Sequence, residues 1–503
     1  MAVIVGIAGA ARNAAAALCD RGRIVAVCEQ ERVTHTRRAG LRSSQLPAEA
    51  VEAVLRLGGR AIADVSRYAV AETAIDFPDV RIERVDHHRA HAATSFFTSP
   101  FPEAVVIVCD RHGRPELTVW RGDDGGVTPV PFSWTGPAFA TVYARAAQAF
   151  GLAPDGDEHR LEALAHVADH HSEAPLSLMA YHGDRLELSP HFSESIASLP
   201  GSGSHGAVAD AARTASGLQR SLGEVLLQLV QDVKSRFGGR HLCLGGGLFY
   251  NSYFNTLLAQ SGLYEQMFVP VNPGNAGVAV GAALEVAGPE RERGRRAPLS
   301  PFLGPGFDAG EIKVTLDNCK LLYDHVHDGQ VIERTATALS QGKLVGWFHG
   351  RMEWGPRALG NRSILASPLA PYVLENLNVF LKQRDPYRSY SVSICAEDVP
   401  RYFRGPATSQ FMEYEYEVTD ADVLHALLPL KARRLRVQTV PESAGSFHTL
   451  IKAFGQLTGV PILVNTSFNG FNEPIVCTPR DAVRVFYGTG LDMAVLGNFI
   501  LQK

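Results

Sequence analysis

The sequence predicts a mixed α/β protein of two units, and three observations predict it. The first forty residues alternate short apolar runs with turn signals. An amphipathic stretch at 218–233 runs through glycines into a short apolar strand. A Pro-, Gly- and Arg-rich segment at 287–307 then separates this texture from a second alternation of helices and strands. At roughly 100–200 residues per domain, 503 residues suggest two to four domains with ample core.

The elements follow in order. AVIVGIAG, AAAALCD and RIVAVCEQERV, the last two joined by an Arg21-Gly22 turn, read as three successive strands. EAVVIVCD (103–110) is a short continuous apolar run, the form of a buried strand that delivers a carboxylate, Asp110, at its end. Apolar residues at 218, 222, 225, 226, 229, 230 and 233 mark one face of a helix. The strand HLCL follows, then Gly245-Gly246-Gly247. Beyond 307, a helix near Val331–Leu339 ends at Gly342, and LVGWF (344–348) reads as a strand. Leu374, Leu377 and Leu381 mark another helix, and Phe447, Leu450, Ile451, Phe454 and Leu457 a further one stopped by Gly459. VPILV (460–464) is a strand, and Thr478-Pro479 is an N-cap followed by proline at the first helical position.

Composition excludes several classes. The chain is 46% apolar and 20% charged with a net charge of −4, which argues against disorder and against a dedicated nucleic-acid binder. No apolar run approaches the roughly 18 residues of a membrane span, and the apolar start lacks the positive flank of a secretory signal. Seven scattered cysteines without CxxC spacing imply neither a disulfide framework nor a cysteine-rich zinc site. A cytoplasmic location is the expectation.

Three clusters could carry chemistry. His87 and His91 are four apart and share one face of a helix; with Asp110 as third donor they could hold a metal ion, or they are a capped histidine run. His166 and His170, with His171 beside them, have the same spacing but no third donor nearby, and read as a solvated face. The turn Gly245–Gly247 with Asn251 could bring backbone N–H groups against phosphate, or is a close-packed turn. The densest cluster is cationic: Arg351, Arg357, Arg362, Lys382, Arg384, Arg388, Arg434 and Arg436, set among glycines and aromatic residues. Planar guanidinium groups beside glycine turns suit phosphate capture; the bland reading is a charged surface. Asn465, Ser467 and Asn469 follow a strand directly, a common ligand position, and Ser467 lacks the GxSxG setting of a hydrolase nucleophile.

GWFHGRMEWGPRALGNRSIL, LKQRDPYR, RVQTV and LVNTSFNGFNEPIV resemble the signature blocks of ATP-dependent O-carbamoyltransferases, the family of nodulation-factor and antibiotic-tailoring enzymes. HHRAHAATSFFTSPF, GGGLFYNSYFN and NPGNAGVAVGAAL resemble its N-terminal blocks. The resemblance implies an actin-like N-terminal domain (1–300), similar to the transferase that makes threonylcarbamoyl-adenosine in tRNA, and a YrdC-like α/β domain (301–503). It implies that carbamoyl phosphate yields carbamate, which reacts with ATP, accompanied by Mg2+, to give carbamoyl-adenylate and pyrophosphate. An acceptor hydroxyl on a secondary metabolite, a sugar or polyketide, then takes the carbamoyl group and AMP leaves. Arg357, Lys382, Arg388, Arg436 and Ser467, with Asn465 in the same loop, would hold carbamoyl phosphate and ATP. Lys382, Arg388 and His91 would serve catalysis. Gly246, Gly247, Asn251 and Asn275 would meet the nucleotide in the N-terminal domain, and His87, His91 and Asp110 would ligate an iron-type ion. A homodimer is compatible with the family.

The departures lie in the N-terminal half. A family histidine near the start is Arg12 here, and an aspartate before the long helix is Arg213. The family's DGxGE reads Asp110-Arg111-His112-Gly113-Arg114, its KxMGLAPYG block is replaced by Arg160–Ala165, and its fourth metal ligand is Asn275. Arginine stays protonated at neutral pH, so neither Arg12 nor Arg213 can act as a general base. One lost carboxylate implies weaker metal binding. An atypical acceptor such as an amine, or a non-catalytic nucleotide-binding role, are the alternatives these departures raise.

Overall fold

The computed structural model describes residues 2–9, 12–40, 46–71, 81–153, 156–168, 176–198, 208–292, 297–429 and 432–503. Three apolar runs at the start form β1 (Val3–Ala8), β2 (Ala15–Asp20) and β3 (Arg23–Glu29), an antiparallel meander. The QERV tail of the third run turns helical instead, as part of Gln30–Thr34. β4 (Arg67–Val70) and β5 (Ile82–Arg84) join in parallel, giving the spatial order β3-β2-β1-β4-β5.

The same arrangement then repeats. β6 (Ala104–Cys109), β7 (Leu117–Asp123) and β8 (Gly126–Pro129) form a second antiparallel meander. A small hairpin, β9 (Met179–Tyr181) with β10 (Leu186–Leu188), stands apart. β11 (His241–Gly245) and β12 (Gln266–Phe268) add in parallel beside β6, so the order β8-β7-β6-β11-β12 matches the first sheet strand for strand. Three antiparallel strands followed by two parallel ones, used twice, is the actin-like fold. The amphipathic stretch lies within one helix, Val208–Phe237, longer at both ends than its apolar period.

Between the two sheets the helices His87–Phe97 and Val278–Ala287 pack directly on each other. Their close crossing needs a glycine: a Cβ on Gly281 would stand 1.9 Å from the Ala90 carbonyl oxygen. The first helix is capped by Asp86, whose carboxylate accepts from Arg89 N at 2.8 Å. Ser95 Oγ ties it to β11 through Leu244 O at 3.1 Å. His87 and His91 are thereby fixed near the C-terminal end of β6, where Asp110 follows.

The segment after 297 is not a loose connector. Val27 N donates to Leu303 O at 3.0 Å, so this segment lies along β3. Residues 324–502 form a ten-stranded mixed sheet, with Val345–Phe348, Arg362–Ala366, Ile462–Ser467, Val392–Cys395 and Arg434–Val440 as successive central strands. Helices Asp328–Ser340 and Ser446–Thr458 pack together on one face, close to the expected spans. Thr478 caps Pro479–Gly488 in a full capping box with Asp481. The Leu374–Leu381 region departs from a regular helix: a single α-turn, Val373–Glu375, widens into the π-helical turn Asn376–Leu381. The side chain of Asn378 there donates to the carbonyls of Pro386 (3.2 Å) and Arg388 (2.9 Å), which fixes the following loop. Among the described residues no helix is long and apolar enough to cross a membrane.

Candidate functional site

One cavity of about 1090 Å3 is lined from both halves of the chain. Asp110, Gly247 and Asn275 face it from the N-terminal half; Arg357, Lys382, Arg388, Arg436 and Ser467 face it from the C-terminal half.

The cationic wall is held under electrostatic tension. Among the described residues Arg357 is anchored through Nη2 to Tyr250 O alone, at 3.3 Å, and burial, then repulsion from Arg436, pushes it down to about 9. Burial, then Arg384, brings Arg388 down to about 10. Among the described residues its guanidinium has no hydrogen-bond partner, while its backbone is pinned by Asp385 and Asn378. Lys382 Nζ donates to Ser467 O (2.6 Å), Asn469 O (3.0 Å) and Asn469 Oδ1 (2.5 Å), and burial holds it well below the usual lysine range. Ser467 Oγ donates to Asn469 Oδ1 at 2.8 Å, so the two ends of this loop brace each other.

Like charges gathered in a partly desolvated wall are stabilised by an incoming anion, which raises their proton affinity. Pyrophosphate binding at about pH 8 is therefore expected to take up protons, and its affinity to fall as pH rises toward 10. Calorimetry in buffers of different ionisation enthalpy checks this; heats independent of the buffer would contradict it.

Not every cation of the sequence cluster belongs here. Arg362 is fully buried, stacks 3.6 Å from the Phe348 ring centre, and donates to the carbonyls of His349, Asn361, Pro305 and Gly350. Arg351 likewise donates to the carbonyls of Gly304, Val25 and Leu303. Both staple turns together and line no part of the cavity. Arg384 lines it but lies over Tyr390 and bonds Asn378. Arg434 does not line it. Asn465 also lies off the lining, 2% exposed, with Nδ2 on Ser393 Oγ (3.0 Å) and Gln438 Oε1 (3.1 Å).

The N-terminal wall is built on the end of β6. Gly246, at φ +101°, is the residue that lets the chain pass Cys109; a Cβ would stand 2.1 Å from the Cys109 carbonyl oxygen. Gly246 N donates to Pro273 O (2.8 Å) and Gly247 N to Asp110 Oδ2 (3.1 Å). These amides, expected to meet a phosphate, instead hold the turn and orient the carboxylate. Asn251 caps helix Ser252–Gln260 through Oδ1 and donates from Nδ2 to Gln219 Oε1 at 3.1 Å, so its amide is also engaged in structure. Arg12 is exposed, and Arg213 is exposed and paired with Asp210; neither lines the cavity.

His87, His91 and Asp110 do come together. Their candidate donor atoms lie within 4.8 Å of one another, with His87 Nε2 3.5 Å from Asp110 Oδ1 and His91 Nε2 3.8 Å from Asp110 Oδ2. Burial, then His87, pushes His91 down to about 3, and its Nε2 is buried with no hydrogen-bond partner. Burial works to raise Asp110, but hydrogen bonds from His112 and His87 outweigh it and hold the carboxyl well below its usual range. Two imidazoles beside an ionised carboxylate form a donor set that fits a borderline divalent ion. A second group, Cys395, Glu397 and His448, lies off the cavity lining, with Lys452 on Glu397 at 2.8 Å.

His166 is buried rather than solvated: Nε2 meets Arg434 O at 2.5 Å and Nδ1 lies 3.4 Å from Glu415. His170 and His171 lie outside the described residues. His166 belongs to a joint no motif announced. Glu162 Oε1 accepts from Ser252 N (2.9 Å) and Arg436 Nη2 (2.6 Å), and the single hydroxyl proton of Ser252 is shared between Glu162 Oε1 (2.8 Å) and Glu415 Oε1 (3.0 Å). Beside it, Arg160 reaches Asp385 at 3.3 Å, tying the helix Glu158–His166 to the Arg388 loop. Glu162 and Arg160 stand in the stretch that departs from the family block, which was the one available sign.

Comparison with known proteins agrees with this layout. Residues 61–284 match the carbamoyltransferase N-terminus and residues 336–503 the carbamoyltransferase C-terminus. Nodulation protein NolO of Bradyrhizobium diazoefficiens is 30% identical over 83% of this chain and 79% of its own length. Nodulation protein NolNO of Sinorhizobium fredii is 27% identical over 98% of this chain and 79% of its own. The 3'-hydroxymethylcephem-O-carbamoyltransferase of Amycolatopsis lactamdurans is 30% identical over 53% of this chain and 49% of its own. With both terminal signatures in order and relatives matched along most of its length, the chain belongs to the carbamoyltransferase family.

Proposed function

We propose that this protein is an ATP-dependent O-carbamoyltransferase that forms carbamoyl-adenylate in its C-terminal unit (301–503) and transfers the carbamoyl group in its N-terminal unit (1–300). The observation that carries the reading is the shared cavity, with the cationic side chains Arg357, Lys382, Arg388 and Arg436 on one wall and, on the other, Asp110, the member of the His87, His91 and Asp110 cluster that faces it. Carbamoyl phosphate is hydrolysed by one water molecule to carbamate and phosphate, with release of a proton. A carbamate oxygen then attacks the α-phosphorus of ATP, forming carbamoyl-adenylate and releasing pyrophosphate. An acceptor hydroxyl attacks the carbamoyl carbon, AMP leaves, and the hydroxyl proton is lost.

Arg357, Arg388 and Arg436 offer the planar donors that hold phosphate oxygens, and Lys382 with Ser467 supports the loop beneath them. A single cavity shared by two halves suits a labile mixed anhydride, because water is the competing nucleophile and a short path to the acceptor limits its exposure. A divalent ion held by His87, His91 and Asp110 would supply Lewis-acid polarisation in the transfer half. The acceptor is proposed to be a hydroxylated small molecule, in line with the hydroxymethyl group in the printed name of the cephem relative.

The purified protein is expected to turn ATP into AMP and pyrophosphate only when carbamoyl phosphate is supplied. ADP as product, or an equal rate without carbamoyl phosphate, would overturn the reading.

A further inference from the structure

We propose that His112 is a fourth protein ligand of the divalent ion, beside His87, His91 and Asp110. This rests on the metal reading given above. Three donors leave a divalent ion short of a full coordination shell, and the cavity presents one further imidazole within reach. His112 Nδ1 stands 3.0 Å from Asp110 Oδ1. Ligands bound at about 2.1 Å are roughly 3.0–3.4 Å apart around an octahedral or tetrahedral ion, so this spacing suits two neighbouring ligands.

The position of His112 is built rather than incidental. Its own N–H donates to Asp110 Oδ1 at 2.9 Å, which curls the turn after β6 back over the carboxylate. The next residue must be glycine-sized: a Cβ on Gly113 would stand 2.0 Å from His88 Nε2. That packing also sets His88 apart from the cluster, with its Nδ1 on Thr118 Oγ1 at 2.8 Å. The His112 ring lies 6.4 Å from the His87 ring, and its side chain is 50% exposed in the cavity, so it has room to turn from Asp110 onto an ion.

Asn275 completes the surroundings. Its Nδ2 is 3.4 Å from His112 Nδ1, and its Oδ1 is buried with no hydrogen-bond partner. An amide flip exchanges those two atoms and turns the oxygen toward His112 and the ion. A third imidazole thus stands where the residue opposite offers only a neutral amide. Bound this way, His112 gives up its hydrogen bond to Asp110 and contributes the Nδ1 lone pair.

The test uses the full chain, stripped of metal and titrated with Co2+ and, separately, Cu2+. The wild type is expected to bind one ion, with pulsed electron paramagnetic resonance of the Cu2+ form counting three coordinated imidazoles. His112→Ala and His112→Asn should each count two and bind Co2+ at least about tenfold more weakly with an altered visible spectrum. His112→Asn matters because its amide can keep the hydrogen bond to Asp110. If it retains wild-type affinity, or if the imidazole count does not fall in either variant, His112 is not a ligand and the proposal fails. Should the wild type bind no ion while its melting temperature shows it folded, the metal reading falls and takes this one with it.

Discussion

Arg388→Ala is expected to lower carbamoyl-phosphate-dependent pyrophosphate release by about 100-fold, and acceptor carbamoylation with it. The guanidinium lines the cavity and has no hydrogen-bond partner among the described residues, while its backbone is fixed by Asn378 and Asp385. Removing it leaves the loop intact and deletes one charge-assisted, bidentate-capable contact, worth ~1.5–3 kcal/mol and near the upper end when desolvated. A contact that strengthens as charge develops on the phosphate lowers turnover as well as affinity. Arg388→Lys restores charge without the planar fork and should recover only part of the rate. Steady-state pyrophosphate release on variants of equal melting temperature decides the matter. A wild-type rate in Arg388→Ala would remove this residue from the substrate site.

His91→Ala is the complementary experiment. It is expected to spare pyrophosphate release and to lower carbamoyl transfer by roughly 100-fold, the scale of several kcal/mol of lost Lewis-acid stabilisation. The substitution opens a small void at a residue 1% exposed, yet the lost Nε2 has no hydrogen-bond partner, so no buried polar group is orphaned by the change. A structural histidine would behave differently, with a lower melting temperature and both half-reactions damaged together. Measuring pyrophosphate, carbamoylated product and melting temperature on one preparation separates the two outcomes. Transfer at the wild-type rate would rule out metal assistance at this cluster.

Local patterns proved legible where the physics is local. The first meander, the strand ending at Asp110 and the cap at Thr478 are written in periodicity and turn chemistry within a few residues. The spacing of His87 and His91 placed both on one helix face, where the structure has them. What failed depends on partners distant in sequence. Arg362 and Arg357 look alike as members of a cationic run, but one is surrounded by turn carbonyls and the other faces the cavity. Asn465 and Ser467 share a strand face by alternation; Gln438 and Ser393 cover the first, and only the second reaches the sheet's open end. His166 seemed solvated because its acid partner, Glu415, comes from the other half of the molecule.

The joint at Glu162 has a consequence for how ligands and shape communicate. Arg436 spends one guanidinium nitrogen, Nη2, on Glu162 and Ser252, groups of the N-terminal half, and the same arginine faces the space an anion would enter. A phosphate that draws on Nη2 competes with a carboxylate already in place, so its affinity is the difference between two embraces rather than the strength of one. Linkage makes this reciprocal: whatever loosens Glu162 from Arg436 tightens the anion, and a bound anion loosens the seam between the halves to the same degree. Charging the cavity and relaxing this one contact are then linked through a side chain with two suitors.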